Sequence, residues 1–221
     1  MNNLAGLFWE GTLDTLYMTI ASTIFAYVIG LPLGVVVFIT HKNGPKPMPK
    51  LNAVLSWIVN IGRSIPFLIL MIAVTPFTRM IVGKAIGSTA AIVPLVISAS
   101  PFVARLIETS LLEVESGMIE AATSMGATNF QIVYKVLLPE ALPSIIRGLS
   151  ISTITILGYT TMASSIGADG LGKIAVNYGL HRYEFKVLMI ALIVLIVLVQ
   201  IIQIIFGLTS KNLDKRNKTV S

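Results

Sequence analysis

Between Lys186 and Lys211 no side chain carries a charge, and isoleucine, leucine and valine dominate the run. Such a stretch belongs in the hydrocarbon of a bilayer, whose core takes roughly 20 mostly apolar residues per helix. The span lies at about Val187 to Leu208. Four other segments meet the same requirement: Thr15 to Thr40, a stretch within Leu51 to Val82, about Ser88 to Leu106 and about Leu142 to Ile166. As one straight helix, Leu51 to Val82 would run about 48 Å against a core of about 30 Å, so it is expected to break or bend. The fold class that follows is an all-α membrane protein with five transmembrane helices. Composition agrees: only 12% of the 221 residues are charged and 55% are hydrophobic, whereas soluble domains carry roughly 25% charged residues. So few charges cannot cover a water-facing surface of this size.

The formal net charge of +6 would suggest nucleic acid in a soluble protein. Here the basic residues sit at the ends of apolar runs and report orientation instead. Lys42, Lys46, Lys50, Lys135, Lys211, Lys215, Arg216 and Lys218 fall on one side, with Arg105 and Arg147 at its span ends. Arg79, Lys84, Lys173, Arg182 and Lys186 fall on the other. Positive residues favour the cytoplasm, which puts the N-terminus outside, the C-terminus inside and the segment from Ile107 to Ala141 in the cytoplasm. The expected organisation is an extracytoplasmic segment 1–14, a permease domain 15–209 with a cytoplasmic loop at about 113–139, and a cytoplasmic tail 210–221. The absence of cysteine excludes disulfides and thiolate metal sites. The N-terminal stretch lacks Lys, Arg and a small-residue cleavage site and is not expected to be a removable signal peptide.

The loop is the most informative part of the chain. It reads Glu120-Ala121-Ala122, three residues, Gly126, nine residues, then Val136-Leu137-Leu138-Pro139. Glu115 to Met125 suits a short helix. Gly126 can take the left-handed conformation that ends one. Thr128 then starts a second helix, with Gln131 three residues on as a capping-box partner, and Pro139 is expected to end or kink it. Ala121 and Ala122 would let another surface approach closely, and Met118, Ile119, Met125 and Phe130 are apolar knobs for a groove. Taken piecewise, the same residues suit an amphipathic linker lying on the membrane surface. The whole pattern at this spacing resembles the signature loop of binding-protein-dependent ABC importer permeases, transport-system inner-membrane components in which it docks on a cytoplasmic ATPase. Val136 stands where that pattern prefers isoleucine, and Glu115 where many members carry proline.

Further stretches resemble the methionine-import branch of that family: Asn60 to Phe67, Pro76 to Arg79, Pro101 to Arg105, Met125 to Thr128 and Lys135 to Pro143. The resemblance implies a type I ABC importer permease fold in the bacterial plasma membrane and a homodimer of permeases. It also implies two ABC ATPase subunits that bind ATP and Mg, and an extracytoplasmic substrate-binding lipoprotein. The chain itself would be non-catalytic and hold no cofactor, and the cargo would be methionine, its D-isomer or a close analogue. The coupling residues carried over are Met118, Glu120, Ala121, Ala122, Met125, Gly126, Ala127 and Thr128.

Other features have two readings each. Asn52, Ser56, Asn60 and Arg63 share one helical face. A charge inside a span is a functional hypothesis, but the preferred reading places this stretch at the cytoplasmic interface, with Arg63 reaching headgroups or water. Pro66, Pro76, Pro94 and Pro101 interrupt the second and third spans, as a gate or simply accommodated by packing. Arg105 and Glu108, three apart, are expected to pair or snorkel. The fourth span carries Ser150, Ser152, Thr153, Thr155, Thr160, Thr161, Ser164 and Ser165, which suit helix packing or a path for a small polar solute. Thr155, Tyr159 and Met162 are the pore or gate candidates, Met162 as a flexible apolar plug. The glycine-rich segment Gly167 to Lys186, with Tyr178 and Tyr183, either receives a binding protein or merely connects. No phosphate-binding G-x-x-x-x-G-K-[ST] sequence occurs, and His41 and His181 are isolated, so no metal site is expected. Rival functions are a permease for another small amino acid or solute, and a secondary transporter working without an ATPase. The latter would need intramembrane carboxylates, of which these spans hold almost none.

Overall fold

The computed structural model describes residues 4–213, and among them every regular element is helical. The expected tail 210–221 lies outside the described residues from 214 on. The order is α1 (Leu4–Thr40), α2 (Pro49–Ser64), α3 (Phe67–Ala73), α4 (Thr75–Val82), α5 (Ser88–Leu112), α6 (Ser116–Ser124), α7 (Asn129–Gln131), a π segment (Ile132–Leu137), α8 (Leu138–Ser164), α9 (Leu171–Ile174), a second π segment (Ala175–His181) and α10 (Phe185–Leu213). By length and composition α1, α5, the helical run Asn129–Ser164 and α10 can each cross a membrane. The pair α2 and α3 makes a fifth, broken span, bent by 97°.

The breaks follow the chemistry of proline and glycine. Pro66 caps α3 with its φ of −59°, Pro76 lies in the first turn of α4, and Gly83 (φ +78°) stops α4. Pro94 and Pro101 do not interrupt anything: α5 runs unbroken through both. Proline is tolerated in spanning helices where neighbours re-satisfy the freed groups. Pro139 likewise fails to end its helix. The π segment before it closes with Leu138 N–H donating to Val133 O, so the donor that proline lacks falls at the change from π to α register. α1 begins at Leu4 rather than Thr15, which brings Glu10 and Asp14 into the helix, whose 37 residues exceed the roughly 20 that a bilayer core takes.

The chain divides into two compact units. One comprises Ala26–Ser64, Ser100–Ile151 and Ile204–Ser221. There α1 meets α5 with almost no space between backbones. A Cβ on Gly30 would sit 2.7 Å from the Ser100 carbonyl oxygen and 2.8 Å from Val103, and one on Gly34 would collide with the Ala104 carbonyl. Glycines four apart let two helices approach closely, and in lipid such packing replaces the missing hydrophobic drive between helices. Val37, Val59 and Ala104 fill the space beside it, with Leu33 and Leu55 packed around. The Asn52 amide donates to Val37 O at 2.8 Å and to Thr40 Oγ1 at 3.2 Å, satisfying a carbonyl in the last turn of α1. Glu108 is only 3% exposed and is held by Arg105 at 2.6 Å, whose guanidinium also donates to Asn60 Oδ1 at 3.1 Å. The expected Arg105–Glu108 pair is therefore a three-membered network reaching α2.

The other unit comprises Met1–Phe25, Ile65–Ala99 and Ser152–Gln203. Its α1 half buries Thr15, Thr19 and Thr23, each hydroxyl donating to the carbonyl four residues back at 2.7–2.8 Å. Thr15 Oγ1 also accepts the Leu171 N–H at 2.9 Å, which fixes α9 to α1. Leu171, Ile174 and Val187 form the core there, with Leu7 and Phe8 of α1 against it. The glycine-rich segment is thus largely helical rather than an open connector. Asp169, in the turn before α9, binds Lys173 at 2.7 Å and shares the Ser88 hydroxyl with Asp14 (3.5 and 3.1 Å). The Lys173 hydrogen bond holds the Asp169 carboxyl below its ordinary value, with burial opposing and Ser88 assisting.

Two outcomes are expected. Gly34→Leu should force α1 and α5 apart and cost on the order of 1–3 kcal/mol, seen as a lower thermal midpoint in detergent. Asp169→Asn should speed amide exchange at Leu171 to Ile174 at neutral pH. A lowered carboxyl pKa stabilises above the ordinary carboxylate range, and that stability is lost as pH falls through the lowered value. Wild type and variant should therefore converge in acid.

Candidate functional site

The loop between α5 and α8 has closed internal bonding. Glu115, in extended backbone, precedes α6, and Met125 follows its last residue. Gly126 follows with φ +78°. Its N–H donates to Thr123 O at 2.9 Å and that of Ala127 to Ala122 O at 3.1 Å, the pair of bonds that defines a Schellman ending. Thr128 then caps α7: its hydroxyl accepts from Gln131 N–H at 3.3 Å, while its own N–H donates to Gln131 Oε1 at 2.8 Å. The expected capping box is present atom for atom, and the expected glycine turn is left-handed.

Burial sorts the expected coupling residues into two sets. Ile119 and Ala122 are buried, and α6 packs on the π segment. Their side chains are covered within the chain, unlike those of the other expected coupling residues. Met118, Glu120, Ala121, Met125, Gly126 and Thr128 are exposed, and Ala127 is half-buried. Met118, Ala121 and Met125 recur at i, i+3 and i+7, one face of a helix. Met125 is 82% exposed, and no atom lies within 4 Å of where a Cβ on Gly126 would stand. Phe130 and Tyr134 are also exposed and stack with centroids 6.3 Å apart, extending the apolar surface. Phe130 was legible as a knob; Tyr134 was missed, although it lies one turn on from Phe130.

Along α8 the hydroxyls divide the same way. Ser152, Thr153, Thr160 and Ser164 are buried. Thr160 donates to Leu157 O and Thr161 to Gly158 O, both at 2.7 Å, and Ser164 donates to Thr160 O and Asp169 O at 2.9 Å. These hydroxyls serve packing and self-satisfaction. Thr155 and Tyr159 are half-buried and Met162 is exposed, at i, i+4 and i+7 on one less-covered stripe. Tyr159 stacks on Phe67, the first residue of α3, at 4.7 Å and 2°. Phe67 was not among the expected gate residues.

This combination, a paired-helix loop with a left-handed glycine set within a bundle of spanning helices, has relatives. The family of binding-protein-dependent transport system inner membrane components matches residues 30–219. The chain belongs to that family. A probable D-methionine transport system permease of Vibrio cholerae serotype O1 is 50% identical over 186 residues, covering 84% of this chain and 83% of the relative. The D-methionine transport system permease of Escherichia coli K12 is 52% identical over 153 residues, covering 69% and 70%. Among solved structures, an inward-facing MetNI methionine ABC transporter aligns with TM-score 0.96 and 45% identity over 97% of this chain and all of that one. An amino acid ABC transporter solved with histidines shares the fold, at TM-score 0.75 and 24% identity over 94% of each chain. As a family member the chain is an inner-membrane component of a transport system, and its helices have the ABC importer permease arrangement.

Within the family loop, Thr128→Ala removes the acceptor of the Gln131 N–H. It should cost about 1 kcal/mol locally, read as faster amide exchange at Gln131, with exchange across α5 unchanged.

Proposed function

We propose that the chain is the membrane-spanning subunit of an ATP-driven importer of methionine, L or D, and that the loop around Gly126 couples it to a separate ATPase. The observation that carries the reading is the loop itself: a stiff turn whose internal bonds are closed, yet whose Met118, Ala121, Met125 and Phe130 are left uncovered. The sequence identity with D-methionine permeases supports the cargo, and the likeness to the MetNI transporter supports an ATPase partner and a second copy of this chain. An extracytoplasmic binding protein belongs to the same reading. The N-terminus lies outside and the loop in the cytoplasm, in keeping with the distribution of lysine and arginine. ATP and Mg sit on the partner; this chain does no covalent chemistry. Thr155, Tyr159 and Met162 line or gate the path, where Phe67 clamps Tyr159 and where a thioether cargo meets aromatic and sulfur surface suited to it.

The mechanism is alternating access. Nucleotide closes the ATPases, their movement carries the two loops, and the permeases turn outward. ATP can only do this if it favours the outward state through its own contacts, and those pass through the loop. The measurement is ATP-dependent uptake of labelled methionine by vesicles holding the chain with its ATPase and binding protein. Met125→Asp should leave the chain folded in the membrane but reduce co-purification of the ATPase about tenfold or more, the effect of placing an unpaired charge in an apolar contact. A bulky residue at Gly126, such as Phe, should abolish uptake. Normal uptake by both variants would dismiss the coupling role, and uptake unaffected by unlabelled methionine would dismiss the cargo.

A further inference from the structure

Some charged residues of the spanning helices are paired. Glu108 is held by Arg105, and Arg105 by Asn60. Arg63, in the last turn of α2, has no such partner. Its guanidinium carbon lies 6.0 Å from the centre of the Phe102 ring, and among the described residues no carboxylate comes within ion-pair distance of it. The stripe Asn52, Ser56, Asn60, Arg63 was expected at the membrane interface. Arg63 is exposed, and the end of the stripe packs on α5. Gly62, next to Arg63, lies against Pro101. Phe102 stands fourteen residues into α5 from Ser88 and ten before Leu112, about 21 Å and 15 Å along the helix. Arg63 is thus about one turn deeper along α5 than the Arg105–Glu108 pair.

A guanidinium presents five N–H donors in a planar fork and does not lose its proton. The ring face below it and the C-terminal end of the α2 dipole make the charge tolerable, but neither accepts its hydrogen bonds. Within a span a cation persists where it faces water or an anion, not hydrocarbon. The fork matches a carboxylate in bidentate geometry, and an amino-acid cargo carries one wherever it goes.

We propose that Arg63 faces the hydrated translocation path and receives the α-carboxylate of the amino-acid cargo as it passes. This rests on the importer reading above and adds to it a specificity-determining residue. The same fork would also accept a lipid phosphate, and the test separates the two sources. The chain has no cysteine, so Arg63→Cys places a single thiol in it. In proteoliposomes holding the full complex with its ATPase and binding protein, three results are expected. Arg63→Met lowers methionine uptake about tenfold or more, the scale of one lost charge-assisted bond, with Arg63→Lys intermediate and both retaining the ATPase on purification. The introduced thiol of Arg63→Cys reacts with water-soluble methanethiosulfonates, and methionine slows the reaction. Its cationic ethylammonium adduct recovers part of the uptake, whereas the anionic sulfonate adduct does not.

Wild-type uptake by Arg63→Met would overturn the proposal. So would a thiol that is inert to water-soluble reagents, or one whose reactivity follows the anionic-lipid content of the vesicle and not methionine. Absence of methionine uptake in wild type would remove the importer reading itself, and it appears before any variant is made.

Discussion

Hydrocarbon accepts no hydrogen bonds, and most of what this chain does follows from that. Backbone groups must be paired within each helix, so every described element is helical and proline is admitted only where the register can absorb it. Hydroxyls turn inward on their own helix: Thr15, Thr19 and Thr23 each bond the carbonyl one turn back, as does Ser164. Buried charge is admitted only as a network, as with Glu108 under Arg105. Under such a rule the exceptions carry the information. They are the 97° break after Ser64, the guanidinium of Arg63 without a carboxylate, and an apolar loop surface with nothing on it.

Which parts were legible depended on how local the physics was. The Thr128–Gln131 capping box and the Gly126 turn are decided within four residues, and both are found as expected. The spans are decided by composition over twenty residues, and their centres are right. The helix ends were not legible: α1 runs back to Leu4, where Asp14 finds Ser88, a partner 74 positions away that no window contains. The burial of Ala122 and Ile119 was not legible for a similar reason. A nine-residue helix does not declare which face is covered. The pair Gly30 and Gly34 stands at the spacing of a helix-contact motif, but spacing alone does not say which helix it meets.

The break between α2 and α3 shows how local and distant causes combine. Pro66 cannot continue α2, since a residue before proline is pushed out of helical backbone, and Ile65 occupies that place. The local cause explains the stop but not why a charge sits three residues before it. A helix end gathers partial negative charge from its free carbonyls. A cation there costs less than elsewhere, and breaking the helix next to Arg63 is therefore part of what makes an unpaired guanidinium affordable inside a span.

The loop poses the complementary problem, in which stiffness rather than charge is needed. A coupling element transmits force only if displacing its surface does not merely bend it. The Schellman bonds around Gly126 and the capping box at Thr128 leave few free backbone groups in the turn, and the Phe130–Tyr134 stack and the packing of α6 on the π segment fix its sides. From Asn129 the helical run continues without interruption to Ser164. In the proposed function a partner holding Met125 holds the near end of this rod. The π segment is the single place where that rod departs from α geometry. Its looser bonding makes it the point at which the rod would yield.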